Sequence, residues 1–484
     1  MLDKPLAAQL GEFVARLRFE DLPPNVVDKG KALINHSVTA GLACSNAPRV
    51  LLARAAVTAQ ESLGRREVGR GQGATLWVDG SRVTRVGAVF ANGVAIAVNN
   101  QCDSYHMLTH PGVLIIPAGL ATAESEGRNG QELLTAIVAG YEVQCRVARD
   151  FIPSTNARGY RSSPTYGILG CAATAAKLME LNEAQTMSAI ALAASFAGSL
   201  IEGQRTGVMD ADCAEAQAAR NGMWAATLAA QGFTGAPTAL EGDGGFYNAF
   251  TGNNKGDLSY TFVGPPKARF EDVVADLGKH WEVLDVKFKI YPTPGFNQPV
   301  VWLASELTAQ HGLKPEAIDH VTLEMNYLET LYPSPRFPRV PSPDGNPFGR
   351  TAYMLAYTVV NGDYPIIENY DPMRIASTAD ASMKAQVAEL QKRVEVIGEV
   401  GRECFAPRMT FRLKDGRQVT GEYHGRELMW DFAKGAQELR RFIPGLPIKA
   451  AQYERLVAAI ANIEQASSVD ELVRLTLKGS EAAK

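Results

Sequence analysis

"NQCDSYHMLTHPGVLIIPAGLATAE", residues 100–124, is the stretch on which the fold turns. Two of the chain's seven histidines, His106 and His110, stand four apart here, with Asp103 just before them. A Pro-Gly break follows, then a smooth run of apolar and small residues that reads as a buried helix. A titratable cluster set against a buried helix marks the edge of a pocket held by a rigid core. The first backbone N–H groups of such a helix lack intrahelical partners and favour anions.

Outward from this stretch, the chain up to about residue 265 is rich in Ala and Gly and carries helical periodicity. "NVVDKGKALINHSVTAGLACSN", "QELLTAIVAGYEVQCRVARDFI", "YGILGCAATAAKLMEL" and "AEAQAARNGMWAATLAAQGF" are its helices. Small residues on facing surfaces let helices approach closely. "LWVDGSRVTRVGAVFANG" reads as a hairpin about Asp79-Gly80 feeding a helix, and "MSAIALAASFAGSLI" (187–201) as a core helix too short to span a bilayer. The character then changes. "WEVLDVKFKIYP" and "IDHVTLEMNYL" alternate as strands do, and "PRMTFRLKDGRQVTGEYH" is a hairpin about Asp415-Gly416. Helical stretches, "QPVVWLASELTAQHG" and "ASMKAQVAELQKRV", lie between them. "YPSPRFPRVPSPDGNPFGR" (332–350) holds too many prolines for regular structure and reads as a long functional loop. The fold class is mainly α with a smaller α+β domain. A helical domain over 1–274, completed by 425–484, carries an α+β domain over 275–424.

Among 484 residues, 46% are hydrophobic and 21% charged, with a net charge of −4. That balance is ordinary for a soluble globular chain and gives no concentrated basic face for nucleic acid. The six cysteines form no C-x-x-C pair, which fits reduced thiols in a cytoplasmic protein. The N-terminal stretch reads as an amphipathic helix rather than a leader, and nothing is expected to cross a membrane.

"ANGVAIAVNNQCDSYHMLTHPGVLIIPAGLATAE" resembles the stretch that marks the MmgE/PrpD family, whose members include 2-methylcitrate dehydratase, cis-aconitate decarboxylase and iminodisuccinate epimerase. "GCAATAAKLMELNEAQTMSAIALAAS", "AARNGMWAATLAAQGFTGAPTALEGDGGF", "KIYP" and "AYMLAYTVVNGD" match in the same order, so the likeness covers essentially the whole chain. The resemblance implies an all-helical domain built from both chain ends, an inserted α+β lid, and a homodimer. It also implies a pocket between the domains for small di- or tricarboxylic acids, working without metal or organic cofactor. Carried over one at a time, His110 is the histidine of the HPG motif, Ser104 the polar residue six before it, and Asp103 the aspartate before that. Lys289 is the lysine before the Tyr-Pro pair, and Tyr353 the tyrosine nine before Gly362. Other positions depart from the family. Ala97 and Arg161 stand where it has histidines, Asn100 where it has aspartate, and Ala211 where it has lysine. Pro294 and Gln298 replace a cysteine and a histidine.

Proton abstraction next to a carboxylate builds negative charge on oxygens that are already anionic, so it needs fixed cations and a base titrating near neutrality. His110 is the expected general base or acid, with Asp103 orienting it and Tyr353 donating to a leaving oxygen. Lys289 and Arg161 are the expected carboxylate clamps. Ser104, Asn100, His106, Arg205 and Gln298 are expected to touch substrate, Arg205 restoring part of the charge lost at 211. Asp210, Asp212 and Glu215 are expected to form a solvated helix start, where acids suit the dipole. The D-x-x-H-x-x-x-H spacing places two imidazoles on one helical face, yet Met107 stands where a zinc protease needs Glu, so no metal is expected. The expected function is a cofactor-free lyase, a dehydratase of a small hydroxy-substituted di- or tricarboxylic acid. The alternatives are an epimerase or isomerase of an amino- or hydroxy-dicarboxylate, then a decarboxylase, and lastly a non-catalytic metabolite-binding descendant.

Overall fold

Small residues set the close helix spacing that the sequence calls for. In the computed structural model, which describes residues 3–63, 73–340, 349–366 and 381–480, eleven helices are formed by residue 230. They are α1 (Leu6–Arg16), α2 (Pro24–Ala43), α3 (Pro48–Glu61), α4 (Arg85–Ala97), α5 (Pro111–Glu126), α6 (Gly130–Ala148), α7 (Ile152–Ala157), α8 (Ser162–Leu178), α9 (Glu183–Ser195), α10 (Glu202–Thr206) and α11 (Asp210–Ala230). The helix α8 lies at the centre, against α5, α6, α9 and α11. Where α6 meets α8, a Cβ on Gly170 would stand 2.6 Å from the Gly140 carbonyl oxygen, so only a bare backbone fits. Of the sixteen residues of α5, all but Glu124 and Glu126 are buried.

The chain ends meet at α2. The helices Phe432–Leu439 and Ala450–Ala461 pack on it, and Lys31 pairs with Glu464 at 2.7 Å. The buried Lys29 ammonium donates to the carbonyls of Val286 (2.6 Å) and Trp430 (3.3 Å), joining three distant segments at one point. Gly130, the first residue of α6, lies so tightly against the Ile463 carbonyl that a side chain there would overlap it.

Residues 318–422 carry a four-stranded sheet in the order β4-β3-β5-β6. Here β1 (Ala74–Thr75) and β2 (Arg82–Val83) form a small ladder before α4, and β3 (Ile318–Asn326), β4 (Val394–Glu399), β5 (Arg408–Leu413) and β6 (Gln418–Glu422) form the sheet. The Asp415-Gly416 turn joins β5 to β6 with Gly416 at φ +88°, a value that suits glycine. Its buried face packs on the helix Gln298–His311, where Gly421 lies against Leu303 and Leu307. One continuous apolar core runs from Leu6 to Leu475 and takes in both the helices and the sheet.

Four sequence expectations are corrected. The 187–201 run ends its helix at Ser195, leaving Phe196 and Leu200 exposed. The 74–83 hairpin closes through a six-residue loop rather than a two-residue turn. The helical stretch 381–394 ends at Gln391, and Val394–Glu399, for which no strand was expected, is β4, parallel to β3; a parallel partner gives no hairpin signal. Lastly, 286–290 is extended but joins no sheet: it lies across residue 104, where Ser104 and Lys287 exchange two backbone bonds of 2.8 Å. Residues 332–340 of the proline-rich loop lack regular structure as expected, while 341–348 lie outside the described residues.

Candidate active site

The helix α4 stops at Ala97, and the chain then turns through Asn100 (φ +55°), His106 (φ +41°) and Met107 (φ +63°) before α5 begins. Tyr105 and Thr109 pair across this turn, so His106 and His110 stand on opposite arms of a tight loop, not on one helical face. The His106 ring stacks on Phe262 at 5.9 Å, away from His110. That corrects the expectation that His106 meets substrate.

His110 occupies the cap position of α5, with its N–H donating to Ser163 Oγ at 3.0 Å. Its Nδ1 lies 2.8 Å from the backbone carbonyl of Asp103, an acceptor only, so Nδ1 carries the proton and Nε2 is left as the basic atom. Burial first, and then the charges of Lys289 and Arg161, hold this imidazole well below the ordinary histidine pKa. It is therefore neutral at pH 7, with Nε2 unprotonated though less basic than in a solvated imidazole. Asp103 does orient His110, but through its carbonyl rather than its carboxylate. The carboxylate accepts from the Gly112 N–H (2.9 Å) and from the Tyr141 hydroxyl (2.6 Å). The anion favoured at the start of α5 is thus the protein's own. Burial raises the Asp103 carboxyl to about 6, against the pull of those two donors.

Lys289 reaches the same region from the extended 286–290 segment. With no neighbouring strand, that segment is held by groups from other parts of the chain. His36 bonds the Lys289 carbonyl at 2.8 Å, and Gln101 donates to the Ile290 carbonyl at 2.5 Å. Gln298 accepts from the N–H groups of Ile290 (3.1 Å) and Tyr291 (3.2 Å). It also donates to the Tyr291 carbonyl and the Thr293 hydroxyl. Gln298 therefore has no capacity left for substrate, and its assignment as a contact is corrected to a brace. Lys289 is 1% exposed, and among the described residues its ammonium meets the weakly accepting Cys102 thiol but no carbonyl, hydroxyl or carboxylate hydrogen-bond partner.

A cleft of about 360 Å³ opens beside this cluster. Ala97–Asn100, Arg161, Pro292, Pro294 and Tyr332 line it, with Arg49, Asp212, Arg339 and Arg350 among its charged groups. Arg161 is both in the wall and in the cluster. It is 7% exposed and pairs with Glu215 at 2.6 Å, while a second guanidinium N–H donates to the Ala211 carbonyl. The expected solvated helix start is corrected here. Asp210 is exposed, but Asp212 pairs with Arg49, and Glu215 is 1% exposed one turn into α11. Burial pushes the Glu215 carboxyl above its ordinary value, and Arg161, at 2.6 Å, pulls it part of the way back. Arg161 is consequently a neutralised cation, not a free clamp.

Other expected residues fall elsewhere. Asn100 lines the cleft. Ser104 is buried, its hydroxyl donating to the Met107 carbonyl at 3.3 Å, so it shapes the loop. Arg205 pairs with Glu202 at 3.1 Å and, like His110 and Lys289, is not in the cleft wall. On the helix Gly349–Asn361, Arg350 and Met354 face the cleft, whereas Tyr353 and Tyr357 line a separate groove with Met383 and Val387. Tyr353 is thus corrected from proton donor to a residue outside this cleft. Arg49, Arg339 and Arg350 were missed because nothing local marks them; only the proline-rich loop gave a hint of function. Metal-type ligands converge at His280, Glu282 and Asp285, where Glu282 is already held by Tyr105 (2.6 Å) and Arg149 (2.9 Å), and not at 103–110. No helix among the described residues is long and apolar enough to cross a membrane.

The sequence is 28% identical over 302 residues to a cis-aconitate decarboxylase-like protein (oryM) of Aspergillus oryzae, covering 60% of this chain and 59% of that one. It is 32% identical over 206 residues to cis-aconitate decarboxylase of Homo sapiens (40% of this chain, 42% of the relative). With cis-aconitate decarboxylase of Aspergillus terreus it shares 24% over 328 residues (66% and 62%). The chain therefore matches less than two thirds of the length of each of these relatives. The MmgE/PrpD N-terminal domain matches residues 8–259, more than half of the chain and the region that holds His110, Arg161 and Glu215. On that match and on its mainly helical fold with a smaller α+β part, the chain belongs to the MmgE/PrpD family.

Proposed function

We propose that the chain is a lyase acting on a small hydroxy-substituted carboxylic acid, with loss of water as the reaction. The observation that carries this is His110. Its Nδ1–H is fixed to the Asp103 carbonyl, its Nε2 is unprotonated, and a Lys289 ammonium with no carbonyl, hydroxyl or carboxylate partner lies near enough for its charge to be felt at the ring. Lys289 holds the carboxylate, and Nε2 removes the proton from the adjacent carbon. The C–H electron pair forms the new double bond as the β C–O bond breaks. The proton on His110 passes to the departing hydroxide, so the products are an unsaturated acid and water. The relatives named cis-aconitate decarboxylase support the coarser reading, a lyase acting on a small polycarboxylic acid. Decarboxylation is the reading to test beside it.

Proton NMR in deuterated buffer tests the proposal with citrate, 2-methylcitrate, malate, tartrate and cis-aconitate. Wild type should exchange or lose an α-proton signal of one hydroxy acid and form its alkene, while His110→Ala should not. Release of carbon dioxide from cis-aconitate with no alkene formed from any hydroxy acid would replace dehydration by decarboxylation.

A further inference from the structure

Two buried polar atoms near His110 lack a strong hydrogen-bond partner, and they are of opposite kinds. Lys289 Nζ is a cationic donor on the extended 286–290 segment. Glu215 Oε2 is an anionic acceptor on α11; the other oxygen of that carboxylate is taken up by Arg161 at 2.6 Å. Both side chains are 1% exposed, and neither is in the cleft wall, to which Arg161, the partner of Glu215, does belong. A buried acceptor without a donor costs about 1–3 kcal/mol, more when charged, so such an atom persists where a ligand completes it. The family position at 211 that would carry a lysine is Ala211 here, and its backbone carbonyl accepts from Arg161. This side of the site therefore lacks the family's lysine, while Glu215 offers it an acceptor.

We infer that Glu215 determines specificity by accepting a hydrogen bond from a hydroxyl or ammonium group of the substrate, and that it rejects a carboxylate at that place. This rests on the proposed function, in which Lys289 holds the reacting carboxylate. The substrate class narrows accordingly. It is an acid that carries a donor group near the carboxylate on Lys289 and presents no further carboxylate toward α11. A tricarboxylate without a hydroxyl or amine, which is the chemistry of cis-aconitate, meets Glu215 charge to charge.

Calorimetric binding of four probes to the full chain tests this. Malate supplies a hydroxyl, aspartate an ammonium, succinate neither, and tricarballylate a third carboxylate with no donor. Wild type should bind malate or aspartate roughly 10–100-fold more tightly than succinate, the range for one hydrogen bond to a charged group, with tricarballylate weakest. Which of the two wins identifies the donor. In Glu215→Ala the preference should collapse and tricarballylate should gain. Because that variant leaves Arg161 buried without its partner, the double variant Arg161→Met with Glu215→Leu replaces the pair by apolar groups, and it should show the same loss of preference. A donor preference that persists in either folded variant overturns the inference. Equal affinity of all four acids, each abolished by Lys289→Met, overturns Glu215's role alone. Absence of binding to wild type, or binding that survives Lys289→Met, overturns the carboxylate site and the inference with it.

Discussion

At the scale of single residues, the chemistry depends on which His110 nitrogen is free. The Asp103 carbonyl settles that without a second carboxylate, so the imidazole is tuned by burial and by neighbouring cations rather than by an acid. The consequence for pH has a definite sign. A histidine held below its ordinary value stays neutral, with Nε2 unprotonated, as pH falls through about 6.5. The acid limb of kcat/KM should accordingly lie below that value, and His110→Gln should lower kcat by about 100-fold or more. A limb centred at 6.5 in the pH–rate profile would show an ordinary, solvated histidine instead. At Arg161 and Glu215, truncating only Arg161 leaves a buried carboxylate alone. Arg161→Ala should therefore destabilise the fold by about 3–5 kcal/mol, read from denaturant unfolding, and by more than the apolar double variant.

At the scale of elements, the start of α5 binds the site to the core. Gly112 sits where a Cβ would meet Ser37 Oγ at 2.5 Å and Asp103 Oδ2 at 2.9 Å. Gly112→Ala should lower stability by about 1–3 kcal/mol and disturb the loop that holds His110, so melting temperature and activity should fall together. Much at this scale was legible in the sequence. The Pro-Gly break announced α5, the small-residue runs announced α6, α8 and α11, and Asp415-Gly416 announced the β5–β6 turn. The site was legible where a residue works through its neighbours in the chain, as His110 and Asp103 do. It was not where the partner is distant. Gln298 and Glu215 lie in ordinary helical patterns, and their roles are set by backbone at 290–293 and by Arg161, contacts that no local periodicity encodes. Arg339 and Arg350 were hidden for the same reason.

At the scale of the whole molecule, both ends of the chain build one core. Tyr453, Leu456 and Ile460 on the helix Ala450–Ala461 are buried, as are Leu472 and Leu475 beyond it. A chain ending at residue 424 should be insoluble or expanded, judged by size-exclusion chromatography and near-ultraviolet circular dichroism, since α2 loses its cover. Supplying 425–484 as a separate peptide should restore part of the signal. The contact of Gly130 with Ile463 also bears on how the protein is made. At roughly 5–20 residues per second, a ribosome takes on the order of 15–70 s to travel from one to the other. Through that interval the nascent helices have their apolar surface uncovered, so the period of greatest exposure to aggregation, and of greatest need for a chaperone, lasts until the segment around Ile463 has been made.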